Sequence, residues 1–292
     1  MRILVTGKDG QLGRSIQDLV ADTEQNNNFV FVGREELDLG SGSSIGHYFE
    51  VNDRFDAIIN CAAYTAVDKA EEERILANQI NHLAVKQIAE IATSQKSRFI
   101  HISTDYVFDG EDDKPYIEID NTNPINIYGK TKLSGELAIQ EVMPSNAIII
   151  RTSWLYSEHG NNFVKTMLDL GKRKNKISVV SDQIGSPTYA ADLAEAILTI
   201  MASNTYQEKE YPVEIYHYSN DGRVSWFEFS KEIFKLADIE CSVNRVGTRQ
   251  YPTPAQRPKN TLMNKDKITR EFGLNMYDWK KSLQRCLALL TR

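Results

Sequence analysis

Ile3-Leu4-Val5-Thr6-Gly7-Lys8-Asp9-Gly10-Gln11-Leu12-Gly13 is an apolar run that breaks into a turn with glycine at every third position and continues with a helical pattern. The order carries the meaning. Gly7 permits a tight turn, Gly10 lets backbone N–H groups reach a pyrophosphate, and Gly13 lets the next helix lie close on the strand. The N-terminus of that helix then attracts the phosphates. Gly7, Gly10, Gln11, Leu12 and Gly13 are therefore candidate contacts to a dinucleotide. Such a turn means little alone; its setting between strand and helix gives it weight.

Outward from this turn, short β-branched runs alternate with longer segments of helical period: 2–6, 11–21, 29–32, 56–60, 74–93, 98–103, 131–141 and 147–151. Runs such as Ala57-Ile58-Ile59 and Ile148-Ile149-Ile150 are apolar throughout, as in a parallel sheet covered on both faces. The expected fold is α/β: a Rossmann-type doubly wound parallel sheet with a smaller C-terminal α/β substrate-binding domain. Residues 1–155 would form the NAD(P)-binding domain and 156–292 mainly the substrate-binding domain, with the chain free to cross back. Beyond residue 155 helices are expected near 163–170, 191–201, 226–236 and 278–290. Pro252, Pro254 and Pro258 mark 248–259 as a stiff loop. The basic run 172–176 reads as a solvated helix end.

Composition narrows the function classes. With 34 Lys and Arg against 40 Asp and Glu, the net charge of −6 has the wrong sign for a nucleic-acid partner. No stretch is apolar enough for a membrane span, and the N-terminus lacks the features of a signal peptide, so a soluble, cytoplasmic protein is expected. Cys61, Cys241 and Cys286 are widely spaced and odd in number, consistent with reduced thiols. The five histidines fall in no ligand spacing, and no metal site is expected.

A dinucleotide site commonly carries an acid about twenty residues past the last glycine. Here Gly33-Arg34 stands instead, read as a cation for a 2′-phosphate without an adjacent carboxylate to oppose it, or else as a surface residue. That favours NADPH, with NADH possible. Asp38 and Leu39 are grouped with it as cofactor contacts. Asn60-Cys61-Ala62-Ala63-Tyr64 follows an apolar strand, and its small residues suit a cofactor wall, which assigns Ala62, Ala63 and Tyr64 to the cofactor. Tyr128 and Lys132 are four apart and share a helical face. A phenol of pKa about 10 becomes a better acid–base beside a fixed ammonium. Thr104, at the end of the run 98–103, could bond a substrate oxygen beside Tyr128.

In this order the motifs resemble the extended short-chain dehydrogenase/reductase superfamily. Ser103-Thr104-Asp105-Tyr106-Val107-Phe108-Asp109-Gly110, Arg151-Thr152-Ser153-Trp154, Gly160-Asn161-Asn162-Phe163 and Tyr251-Pro252-Thr253-Pro254-Ala255-Gln256-Arg257-Pro258 are similar to the dTDP-4-dehydrorhamnose reductases, and the resemblance spans the chain. It implies reduction of a 4-keto group on a small nucleotide-sugar substrate with hydride from NAD(P)H. Tyr128 would be the acid, Lys132 its electrostatic partner and ribose ligand, and Thr104 the carbonyl-orienting hydroxyl. Asp105, Tyr106 and Trp154 match positions lining the sugar pocket. Arg257 is assigned to the diphosphate or nucleotide end on its charge, with a surface loop charge as the alternative. Some family members dimerise through magnesium held by glutamates near the first helix and the chain end. Ser15 and Arg292 stand here, so no matching magnesium ligands are seen, and either a monomer or a homodimer is expected. Three alternatives share the fold: a 4,6-dehydratase, disfavoured because Asp105 is followed by Tyr106 and not Glu; an epimerase or other keto-sugar reductase; and a non-catalytic subunit like the regulatory subunit of methionine adenosyltransferase.

Overall fold

The computed structural model describes residues 1–21 and 27–290. Its centre is a six-stranded sheet: β1 (Arg2–Thr6), β2 (Asn28–Val32), β3 (Ala57–Asn60), β4 (Arg98–Thr104), β5 (Ala147–Thr152) and a sixth strand, Glu214–Tyr218. Every pairing is parallel, in the order β2-β1-β3-β4-β5-sixth. The doubly wound α/β fold is thus present, and its switch point lies between β1 and β3, where the carboxyl ends of two strands diverge to leave a ligand crevice.

Side-chain alternation splits the strands between two cores. Ile3, Val5, Ile59, Ile100, Ile148 and Ile150 belong to one, with α1 (Gln11–Ala21) and the helix Ala190–Ala202 packed over them. Leu4, Ile58, Phe99 and Ile149 belong to the other, covered by the helices Ala84–Gln95 and Ile127–Val142. This two-sided burial is why the strands are apolar at consecutive positions. The segment expected as one helix over 74–93 is interrupted. A π-turn at Gln79–Leu83 joins Arg74–Asn78 to Ala84–Gln95 and brings Asn81 inward to Tyr64.

The second half contributes to both bodies. Glu214–Tyr218 lies in the main sheet, although the spacing analysis placed no strand there. A third core is built wholly from residues 154–290, among them Tyr156, Val164, Phe229, Phe234, Trp279 and Leu283. Lys176–Val180 and Ser242–Val246 pair in parallel beside it, another pair of strands missed in the sequence. After a short 3₁₀ turn at Thr248–Gln250, the proline-rich stretch carries neither helix nor strand as far as Lys259. Lys172 and Arg173 sit exposed in the last turn of the helix Phe163–Arg173. Among the described residues, no helix is long and apolar enough to cross a membrane.

Candidate active site

The glycine turn leaves the carboxyl end of β1 beside the chain that leaves β3. Gly7 has φ +74°, the left-handed region, and a Cβ there would meet Ala62 N at 2.9 Å. At Gly13 a Cβ would fall 2.2 Å from the Gly7 carbonyl oxygen, so α1 can sit on the turn only with glycine there. A Cβ at Gly10 meets just Gly7 O, at 3.2 Å, which leaves the backbone above Gly10 open to a ligand. This cradle fits a pyrophosphate at a helix N-terminus. The other assigned residues differ in what they offer. Leu12 and Leu39 are buried in the two cores, so their side chains face away from any ligand and leave the backbone alone to contribute. The Gln11 side chain is engaged by the next loop: its Oε1 accepts from Ser157 Oγ at 3.1 Å and from Asn162 Nδ2 at 2.9 Å.

At the distal end, Lys8, Asp9, Arg34, Glu35, Glu36 and Asp38 line a pocket of about 470 Å³. The reading of Arg34 as unopposed is corrected here. Its guanidinium is 78% exposed and lies 3.4 Å from the Asp38 carboxylate, four residues along. Glu36 accepts from Gly33 N at 2.9 Å and pairs with Lys8. Two cations thus share this pocket with four carboxylates.

The catalytic candidates converge at the end of β4. Asn126 caps the helix Ile127–Val142, its Oδ1 accepting from Gly129 N at 2.8 Å, which fixes Tyr128 in the first turn. A Cβ at Gly129 would lie 2.1 Å from Tyr106 O, so glycine lets this helix abut the segment after β4. Tyr128 meets Tyr106 edge to face at 5.8 Å, with the Thr104 hydroxyl beside its phenol. Burial pushes the Tyr128 phenol up to about 12, with Thr104 opposing and the Asp105 charge adding. In the polypeptide alone, burial opposes the lowering expected of Lys132 and an oxidised nicotinamide together.

Lys132 lies one turn further along and is 1% exposed. Its Nζ donates to Ile102 O at 2.6 Å and lies 3.1 Å from His101 Nε2. Burial brings its pKa down to about 8, with the Glu136 charge opposing. Ser103 points elsewhere than Thr104: it donates to Glu136, which also holds Arg151 from β5 in a buried pair at 2.7 Å. Strand alternation makes Thr104 the hydroxyl at Tyr128.

The sugar-pocket candidates differ in their surroundings. Asp105 is 2% exposed. Its Oδ1 accepts from Thr104 Oγ1 at 3.1 Å, while its buried Oδ2 has no partner among the described residues. Burial raises Asp105 to about 7, with the nearby Thr261 and Thr104 hydroxyls opposing. Trp154 holds φ +49°, uncommon for a bulky residue, and stacks on Trp226 at 3.6 Å. Trp226 beside Trp154 and Thr261 near Asp105 carry no local sequence signal that could have paired them. Arg257 already has a partner. Its fork is paired with Asp68, at 3.0 Å and 2.8 Å, and Asp68 also accepts from Ala255 N. It also lies near the Tyr106 phenol. Arg257 therefore ties the proline-rich loop to the cofactor-wall side, and a diphosphate would have to compete with Asp68 for it.

Of the residues bearing on metal, Ser15 is buried, its hydroxyl donating to Gln11 O at 3.0 Å, and Arg292 lies outside the described residues. The structure does bring Asp18, Glu158 and His159 together, with His159 Nε2 2.7 Å from Asp18. Sequence spacing could not show this, since Asp18 lies on α1 and the other two follow β5.

A glycine cradle at the switch point of a doubly wound sheet, with Thr104, Tyr128 and Lys132 grouped beyond it, is the arrangement of a short-chain dehydrogenase/reductase. The family can be given more closely: the chain belongs to the RmlD substrate-binding domain family, whose model matches residues 1–292. It is 39% identical over 290 residues to a dTDP-4-dehydrorhamnose reductase of Sinorhizobium fredii, covering 98% of this chain and 96% of that one. Among solved structures, a dTDP-4-dehydrorhamnose reductase from Clostridium acetobutylicum superposes with a TM-score of 0.91 at 39% identity, covering 100% of both chains. One from Bacillus anthracis, in complex with NADP, gives 0.89 at 39% identity and covers 99% of each.

Proposed function

We propose that this protein reduces the 4-keto group of dTDP-4-dehydro-L-rhamnose to give dTDP-L-rhamnose, with NADPH as the preferred cofactor. The observation that carries the reading is the meeting of Thr104 and Tyr128 at the end of β4, with a buried lysine one helical turn away. The cofactor, when bound, supplies the hydride. Gly7, Gly10 and Gly13 would cradle its pyrophosphate, Ala62 and Ala63 would wall it, and Lys132 would hold its ribose. Arg34 and Lys8 are the cations available to a 2′-phosphate, and Glu36 is already satisfied by Gly33 N and Lys8.

Tyr128 supplies the proton. A phenol raised to about 12 is fully protonated at neutral pH, the state from which a general acid must start. Thr104 and Tyr128 together present two hydroxyls to one carbonyl oxygen. As charge develops there, they stabilise it, and Lys132 stabilises the phenolate that remains. Asp105 Oδ2 would accept from a hydroxyl of the sugar, and Trp154 with Trp226 would form the flat apolar side of the pocket. Residues 1–155 would carry the cofactor and the third core the sugar end. The free cysteines suit a cytoplasmic location.

The test is oxidation of NADPH, followed by absorbance, on addition of enzymatically generated dTDP-4-dehydro-L-rhamnose. Tyr128→Phe is expected to lower kcat by about 10²- to 10⁴-fold with little change in cofactor affinity. Undiminished turnover in the variant would remove Tyr128 from the mechanism, and absent turnover in the wild type would remove the substrate assignment.

A further inference from the structure

Thr6, Asn60 and His101 pair in register across β1, β3 and β4, Thr6 with Asn60 and Asn60 with His101. Their side chains emerge on one face of the sheet at its carboxyl end, and all three are buried. They form a continuous row. His101 Nε2 is 3.1 Å from Lys132 Nζ, and His101 Nδ1 is 3.0 Å from Asn60 Nδ2. Thr6 Oγ1 donates to Asn60 Oδ1 at 2.6 Å and accepts from Ala62 N at 3.2 Å. The row runs from the lysine of the catalytic set to the cofactor wall.

Counting donors fixes its state. A neutral imidazole has one donor and one acceptor, and burial, with Lys132 nearby, holds His101 well below its ordinary 6.5, so it is neutral. An ammonium offers three donors and no acceptor. Facing one, His101 Nε2 must accept; the hydrogen then sits on Nδ1, and Asn60 must present its oxygen there. The amide orientation with Nδ2 toward His101 closes the network only around an uncharged Lys132 accepting from Nε2–H. With the charged lysine, the amide turns over: Asn60 Oδ1 accepts from Nδ1–H, and Nδ2 donates to Thr6 Oγ1, which has two lone pairs. The two networks differ in the charge on Lys132 and in whether the Thr6 O–H is donated to Asn60.

We propose that His101 is a positioning residue for the reduction: an Nδ1-protonated imidazole, fixed by Asn60 and Thr6, that accepts a hydrogen bond from Lys132 and holds it as an ammonium one turn from Tyr128. This rests on the reductase reading and extends it. The charged and titratable groups around Lys132 are Tyr128 and Glu136 on its own helix, His101 on β4, Asp105 just after β4, and Arg151 on β5. Glu136 is shared with Arg151 and Ser103, which leaves Ile102 O and His101 as the direct polar partners of Nζ. Without the His101 acceptor, the ammonium loses a charge-assisted hydrogen bond and gives up its proton at lower pH.

The experiment compares wild type with His101→Leu, His101→Asn and His101→Gln in the pH dependence of kcat/KM for keto-sugar reduction. Glutamine can place an oxygen near the Nε2 position, whereas asparagine reaches only the Nδ1 position. The fall in rate at high pH is expected to move down by about 1 to 2 pH units in the Leu and Asn variants and to return toward wild type in the Gln variant. In parallel, ¹⁵N NMR of the wild-type protein should show a neutral, Nδ1-protonated His101 at neutral pH. An Nε2-protonated ring, or a profile unmoved in all three variants, overturns the inference. Should His101→Leu fail to fold, the Asn and Gln comparison and the tautomer decide. A wild type that shows this tautomer yet does not reduce the keto-sugar would refute the substrate reading while sustaining the network.

Discussion

Asp105 places a carboxylate where the folded chain tolerates it poorly, and the penalty can be read from stability. Its pKa rises from an ordinary 3.8 to about 7, chiefly through burial. The folded state therefore binds more protons than the unfolded state between those values, so stability falls as pH rises through that window. At 1.36 kcal/mol per unit, the ionised carboxylate costs about 4 kcal/mol above pH 7, and about 2.5 kcal/mol of that appears between pH 5 and pH 8. Asp105→Asn removes the titration but leaves an NH₂ near the position of the partnerless Oδ2, which costs about 1–3 kcal/mol. The variant should therefore be stabilised by about 2 kcal/mol at pH 8 and gain nothing at pH 5. With an unfolding entropy of about 2.1 cal/mol/K per residue, the difference between the two pH values is about 4 °C in Tm. Thermal unfolding of both proteins at pH 5 and pH 8 measures it. The same variant should lose kcat/KM, because an acceptor for the sugar is gone. An equal Tm change at both pH values would refute the claim that Asp105 titrates near neutrality, and full activity would refute its contact with the sugar.

Two further outcomes follow from the pairings at the edges of the site. Arg34→Ala should raise KM for NADPH by roughly tenfold while leaving KM for NADH nearly unchanged, since one charge-assisted bond to a 2′-phosphate is lost; steady-state kinetics with both cofactors test this, and equal effects would remove Arg34 from the phosphate site. Glu136→Gln strips the charge from the partner of Arg151 in a fully buried pair and should destabilise the fold by about 3–5 kcal/mol, seen as a lower urea midpoint. Glu136→Leu combined with Arg151→Met should recover most of that loss, because both charges then leave together.

The sequence revealed what local chemistry enforces. The glycine spacing over residues 7–13 is legible because each glycine answers a backbone contact that no side chain could share. The strands β1, β3, β4 and β5 are legible because two-sided burial leaves them apolar. Glu214-Ile215-Tyr216-His217-Tyr218 was missed because it lies at the sheet edge and mixes charge with aromatic rings, a pattern without the continuous apolar run of an inner strand. Arg34 was misjudged for another reason. Glu35 and Glu36 stood beside it in the sequence, but the turn that brings Glu36 back onto Gly33 N and Lys8 is a matter of three dimensions.

The row of Thr6, Asn60 and His101 marks the boundary between these cases. Each residue is individually ambiguous: a hydroxyl before a glycine turn, an amide at a strand end, a histidine inside an apolar run. Parallel pairing removes the ambiguity, since the register of β1, β3 and β4 puts all three at one level on one face. Burying three hydrogen-bonding side chains side by side is unfavourable unless each is paired, so their adjacency demands a closed network, and Lys132 at its end supplies the charge that selects one of the two networks available. A polar residue near the carboxyl end of each of several adjacent apolar strands is therefore informative once the strand order is known. The Tyr–Lys spacing names the pair proposed for the reaction, and the sheet beneath it determines how the lysine is held.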